Sequence, residues 1–205
     1  MFFTSPARPT VGPMKLMIIL GSVRPQRVGL SVALWAHEVV TESADFEIDF
    51  VDLAELNLPF MDEPRHPEHQ QYTKSHTRAW SARVRAADAF LFVAPEYNDS
   101  YSPALKNALD FLHHEWAGKP VGFLSYGGLS GGARGVAALG PVLASLGLGS
   151  TATKLAIPDV VDQVNDGSFV PFELQRLELL ELLDELRSLR SVTSTDGRPL
   201  ARAAK

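Results

Sequence analysis

Short apolar runs alternate with stretches of helical period along this chain, and the alternation predicts its architecture. Residues 15–20 (K-L-M-I-I-L) and 89–94 (A-F-L-F-V-A) are too short for helices and too uniformly apolar to keep one face in water, so they predict buried strands. Residues 47–53, 121–125 and 151–157 predict three more. Between the strands, Val28, Val32, Trp35 and Val39 recur at helical spacing, as do Trp80 and Val84 within 73–87. Leu105, Ala108, Leu109 and Leu112 do the same after position 102, and Val136, Leu139, Leu143 and Leu146 within 133–146. One helix start is legible in detail: Ser102 offers a capping hydroxyl, and Pro103 suits the first helical position, where no N–H is missed. Gly147 marks a helix stop. Residues 172–189 predict a closing amphipathic helix, with Arg187 and Arg190 at the end where the helix dipole favours cations.

Five strands alternating with helices imply an α/β fold with a parallel sheet covered on both faces. Of the doubly wound arrangements, the flavodoxin-like one with strand order 2-1-3-4-5 takes this count with no element left over. Its ligand site lies at the switch point beside the first and third strands. One domain at 14–190 is expected, with a lead at 1–13 and a tail at 191–205 that both read as disordered. Residues 58–71, rich in Pro, His and acidic side chains, predict an irregular excursion long enough to suggest a functional or mobile loop.

Composition narrows the chemistry. The 205 residues include no cysteine, which excludes disulfides, thiolate metal sites and a CxxC centre, so any redox chemistry must belong to a bound cofactor. A formal net charge of -5 without a long basic block argues against nucleic acid and membrane surfaces as partners. No apolar run approaches the ~20 residues that span a bilayer, and the start lacks the basic segment and apolar core of a signal peptide, so a cytoplasmic location is expected. No metal site is expected either: His113 and His114 read as helix neighbours pointing to different faces, while His66 and His69 fall in the irregular excursion.

The candidate chemistry sits in three loops, after the first, third and fourth strands, which a switch-point sheet brings to one crevice. The first offers Ser22, Arg24, Arg27 and the free N–H groups of a helix start, a combination suited to a phosphate dianion. No GK[ST] follows, so it is not a Walker loop, and Gly21 and Gly29 do not make GxGxxG. The second, predicted as a loop over 95–101, has Pro95 to stiffen it, the rings of Tyr97 and Tyr101, and hydrogen-bonding groups on Asn98 and Ser100, which suit a flat heteroaromatic ring. The third has four glycines in the six positions from Gly127 to Gly132 and lets backbone approach a ligand closely.

Taken together, G-S-V-R-P-Q-R-V-G from Gly21, P-E-Y-N-D-S-Y-S-P-A-L-K-N-A-L-D from Pro95 and S-Y-G-G-L-S-G-G-A-R from Ser125 resemble the NADPH-dependent FMN reductase family, over about 14–186. The resemblance implies that FMN phosphate is held by Ser22 and Arg24, with Arg27 and Val28. It implies that Pro95, Glu96, Tyr97, Asn98 and Ser100 line the isoalloxazine and ribityl region, and that Ser125, Tyr126, Gly127 and Gly128 meet the pyrimidine side. Asp99 departs from the pattern, since glycine or histidine is commoner after PEYN, and substrate choice is the property it touches.

The function this implies is hydride transfer from NADPH, with NADH as a possible donor, to bound FMN and then to a small-molecule acceptor: free flavin, a quinone or an azo dye. The protein then works by positioning and by backbone dipoles, and no catalytic acid or base is assigned. The alternative is a flavodoxin-type electron carrier without turnover of its own, although such carriers tend to be strongly acidic and to lack arginine in the phosphate loop. Family resemblance also implies a homodimer or a dimer of dimers. Trp116 and Phe111 are candidates for that contact, whereas Leu177, Leu180, Leu183 and Leu186 read as core.

Overall fold

The computed structural model describes residues 12–195. In chain order the elements are β1 (Met14–Leu20), α1 (Gly29–Thr41), β2 (Phe46–Asp52), α2 (Leu53–Leu56), α3 (Ser75–Ala86), β3 (Ala89–Tyr97), β4 (Ser100–Tyr101) and α4 (Pro103–Asp110). They continue as β5 (Pro120–Tyr126), α5 (Ala133–Leu146), β6 (Gly149–Ser150), β7 (Leu155–Ile157), β8 (Val164–Asn165), β9 (Ser168–Phe169) and α6 (Glu173–Thr195). The main sheet runs β2-β1-β3-β5, with β6 and β7 sharing the fifth position, and all these pairings are parallel. This is the expected 2-1-3-4-5 order of a flavodoxin-like sheet, with two local departures.

The first departure is at the fifth strand, which is two short pieces where one run over 151–157 was expected. Glu185 of α6 accepts from the N–H groups of Ala152 (2.8 Å) and Thr153 (3.2 Å) and from the Thr153 hydroxyl (2.5 Å), so these donors leave the ladder and the strand breaks between its halves. The second is β4, a two-residue strand that pairs antiparallel with the end of β3. The closing helix also runs on to Thr195, past the expected end at 189. The rest of the expected tail, and the lead apart from residues 12 and 13, lie outside the described residues.

Successive strand residues serve opposite faces, which is why the central runs are apolar throughout. Leu16, Ile18, Leu20, Leu91 and Val93 pack under α1 and α6. Met17, Ile19, Phe90, Phe92 and Phe123 pack under α3, α4 and α5. Trp80 and Trp116 are fully buried in this second core, and their indole N–H groups donate to the carbonyls of Ala108 (2.9 Å) and Leu109 (3.1 Å) near the end of α4. Trp116 and Phe111 are therefore core residues in this fold and offer no surface for another subunit. Leu183 and Leu186 are core as expected, but Leu177 and Leu180 face outward, because the stripe of α6 that meets the sheet is set by Leu179, Leu182, Leu183 and Leu186. No helix among the described residues is long and apolar enough to cross a membrane.

The excursion is irregular but tied down. Glu115, buried in the turn after α4, accepts from Tyr72 (3.0 Å) and Ser81 (2.7 Å) and pairs with Arg85 (3.2 Å), joining the excursion to α3. His113 and His114 fall in that same turn, beyond the end of α4. Glu63 accepts from the N–H groups of Thr73 (2.8 Å) and Lys74 (2.9 Å) and from the Thr73 hydroxyl (2.9 Å) just before α3.

Burial raises the Glu63 pKa, but these hydrogen bonds outweigh it and hold the group at about 2, below the ordinary 4.5. A carboxylate whose pKa is depressed on folding contributes its full stability above the unfolded value and loses it as pH falls through the folded one. Glu63→Gln should therefore lower the urea midpoint at pH 7. The gap from the native chain should narrow between about pH 5 and pH 2, read as a series of denaturation curves.

Candidate functional site

The loops after β1, β3 and β5 leave the same end of the sheet, and their side chains touch. Ser22, buried at the exit of β1, hydrogen-bonds Tyr97 at the end of β3 (Oγ to Oη 2.8 Å). Tyr126, at the end of β5, lies against Gly29 in the first turn of α1, so closely that a Cβ on Gly29 would stand 2.0 Å from the phenolic oxygen. Ser130 donates to the Glu96 carboxylate (2.6 Å). The convergence read from strand order is thus a set of direct contacts.

The first loop presents an anion-binding helix start. Val28 occupies the N-cap of α1 and supplies no side-chain cap, so the first N–H groups of this 13-residue helix keep their donors and their partial positive charge. Arg24 is exposed. Arg27, expected beside the phosphate, also has a partner within the fold: its Nη2 pairs with Asp52 at the end of β2, while Asp52 Oδ1 also caps α2 through the N–H of Ala54 (2.9 Å). That leaves Arg27 Nε buried with no partner, and Tyr126 Oη is buried in the same condition. Burial pushes the Tyr126 phenol well above its ordinary pKa, against the influence of Ser22 and the two arginines, so it stays a neutral donor. Orphaned buried polar atoms are rare in folded proteins, and two of them beside one uncapped helix start fit a phosphate.

The second loop is a hairpin where a loop was expected. β3 continues through Pro95, Glu96 and Tyr97, and β4 returns with Glu96 opposite Tyr101 and Tyr97 opposite Ser100. The two turn residues, Asn98 (φ 49) and Asp99 (φ 61), both adopt positive φ, the requirement of the two-residue turns that match strand twist. Asn and Asp tolerate that region better than other side chains, short of glycine. The hairpin sets Tyr97 against Ser22 of the first loop and leaves Asn98 exposed at its turn.

Glu96 has a structural task that its sequence position did not reveal. Its Oε2 accepts from the N–H groups of Arg134 (3.0 Å) and Gly135 (3.2 Å), capping α5, whose N-cap residue, Gly132, has no side chain to do so. Ser125 likewise turns inward, donating to the Gly131 carbonyl (2.9 Å) and shaping its own loop. Gly132 (φ +88) could not bear a Cβ, which would meet Ser125 Cβ and Tyr126 N at 2.7 Å. Gly127 and Gly128 are pinned from behind, where their carbonyls accept from Val160 (3.2 Å) and Asp159 (3.1 Å). Of the expected residues, Ser22 meets Tyr97, Tyr126 meets the first turn of α1, and Arg24 and Asn98 are exposed on their loops, while Glu96 and Ser125 spend their side chains on the loops themselves. Asp52 and Ser130 were missed. Asp52 could have been found from the pairing of β2 with β1, which sets it beside Leu20.

Removing the cap tests this division. Glu96→Ala should cost about 1–2 kcal/mol in urea denaturation, the range of a lost helix cap, with Ser130→Ala costing less.

Comparison with known proteins gives the same assignment. The NADPH-dependent FMN reductase family model matches residues 14–161. An NAD(P)H-dependent FMN reductase of Nectria sp. is 41% identical over 165 residues, covering 75% of this chain and 82% of its own. One of Schizosaccharomyces pombe is 44% identical over 120 residues, covering 58% of this chain and 60% of its own. Among solved structures, the flavoenzyme NAD(P)H:(acceptor) oxidoreductase of Paracoccus denitrificans superposes with a TM-score of 0.67 at 20% identity, over 85% of this chain and 98% of its own, which shows the shared fold. By its matched span and its identity to these relatives, the chain belongs to the NADPH-dependent FMN reductase family.

Proposed function

We propose that this chain binds FMN in the crevice and catalyses electron transfer from NADPH, or NADH, to a small-molecule acceptor such as free flavin, a quinone or an azo compound. The observation that carries the reading is the pair of orphaned atoms, Arg27 Nε and Tyr126 Oη, beside Ser22 at the uncapped start of α1, a donor set suited to the FMN phosphate. Bound there, FMN supplies the hydride and electron chemistry that a cysteine-free chain cannot supply itself. With a quinone as acceptor the reaction balances as NAD(P)H, a proton and quinone giving NAD(P)+ and hydroquinone. Relatives named as an azoreductase and a benzoquinone reductase support these acceptor classes.

The chain's own work is positioning. Arg24 and the α1 N–H groups hold the phosphate, the Tyr97 and Asn98 hairpin lines the ring, and the bare backbone of Gly127 and Gly128 approaches its polar edge. No residue is given an acid or base role. A homodimer or dimer of dimers and a cytoplasmic location belong to the same proposal, supported by family membership and by the expectation from sequence respectively.

Donor choice turns on Asp99. Its carboxylate pairs with Arg134 (2.5 Å) at the start of α5, so of the two arginines offered to the extra phosphate of NADPH, Arg24 and Arg134, the second is already paired, and this partner holds the Arg134 pKa above its ordinary value. Asp99→Asn should raise the ratio of kcat/KM for NADPH over NADH by up to about fivefold, the scale of an exposed ion pair, in steady-state assays.

The deciding experiment is the visible spectrum of the protein with added FMN, before and after anaerobic NADPH. A perturbed flavin band that NADPH bleaches is expected. Tyr126→Phe should raise the FMN Kd roughly tenfold or more without lowering the thermal midpoint, because a buried hydroxyl with no partner is a cost to the fold that the substitution removes. An unperturbed spectrum would overturn the flavin reading, and a perturbed one that NADPH leaves oxidised would favour the electron carrier.

A further inference from the structure

Beside the crevice lies an apolar groove of about 530 Å3, between α2, the segment after it and the first turns of α4. Val23, Leu53, Leu58, Phe60, Pro103 and Ala104 line it, with Asn57 and Asn107 as its polar members and no charged side chain among its lining residues. The groove is built rather than incidental. Asn107 donates to the Pro59 carbonyl (2.7 Å) and accepts from the Met61 N–H (3.2 Å), stapling the excursion to α4, while the Asp52 cap fixes α2 on the other wall. It also adjoins the crevice loops. Val23 follows Ser22 directly, and Pro103 follows Ser102, whose hydroxyl donates to the Gly21 carbonyl (2.6 Å).

We propose that this groove holds the apolar substituent of an electron acceptor whose reducible ring lies in the neighbouring crevice; the proposal rests on the flavin-enzyme reading. A lining without charge is unsuited to the phosphates of a nicotinamide donor and suited to alkyl or aryl carbon. The volume lies within the range of small-molecule sites. Phe60, 86% exposed at the rim, is the side chain such a substituent would cover. A second copy of this chain is the weaker occupant. The exposed apolar side chains at the mouth are Phe60, Met61 and Val23, too few for the ~800 Å2 per partner of a stable interface.

The test uses the full chain loaded with FMN, with NADPH as donor and a series of 2-alkyl-1,4-benzoquinones from unsubstituted to hexyl. The native chain should gain up to about fourfold in kcat/KM per methylene, the value of burying a CH2, with the gain in KM rather than kcat. Ala104→Phe, which fills the groove from a half-buried position, should flatten the series towards the unsubstituted quinone, and Phe60→Ala should lower its slope. A flat series with the native chain turning over would overturn the groove assignment and leave the flavin reading intact. Loss of NADPH-driven turnover together with loss of FMN binding would overturn both. If Ala104→Phe instead changes the sedimentation of the protein while the slope persists, the groove is a contact between copies and the proposal is wrong.

Discussion

The crevice depends on one carboxylate placed where a helix begins. Glu96 sits at the end of the third strand, yet its oxygens accept from Ser130 and from the N–H groups of Arg134 and Gly135 at the start of α5. A negative charge there complements the helix dipole and satisfies donors that the glycine loop cannot satisfy itself. The result is mechanical: the hairpin that carries Tyr97, the glycine loop and α5 are joined through one side chain. Gly135 completes the joint, since a Cβ there would stand 2.9 Å from the Ser100 carbonyl, and its absence lets helix and hairpin touch. The family motif residue that reads as a ligand contact is, in its side chain, a fastener.

A second economy of charge runs through the first loop. Arg27 divides its guanidinium between a buried partner, Asp52, and an unpartnered nitrogen beside Tyr126. Asp52 in turn anchors α2, one wall of the apolar groove. The first loop, the second strand and the groove therefore share one largely buried ion pair, and a pair of this kind fixes orientation more dependably than it adds stability.

What was legible in the sequence was whatever local pattern decides. The central strands, the Ser102 and Pro103 start of α4 and the Gly147 stop of α5 follow from apolar period and capping chemistry within a few residues. The hairpin at 95–101 escaped because its turn is Asn-Asp rather than a glycine turn, and because Pro95 reads as an end to a strand that in fact continues. The charged anchors escaped for a different reason. Glu96 with Ser130, Arg27 with Asp52 and Glu115 with Tyr72 are tens of residues apart, and only the folded sheet makes them neighbours. For the site, the gathering of three loops was readable from strand order. The split between residues that face the crevice and residues that brace it was not, since a carboxylate or a hydroxyl has the same letter in either role.

The broken fifth strand has a consequence at the margin of the sheet. An outer strand normally offers another chain a row of free backbone donors and acceptors, the template on which sheets extend from molecule to molecule. Here Glu185 has claimed the N–H groups of Ala152 and Thr153, and β6 and β7 are two and three residues long on either side of the gap. No uninterrupted ladder is left for a stranger to join, so along this edge copies of the protein that meet must recognise one another by side chains and not by main chain.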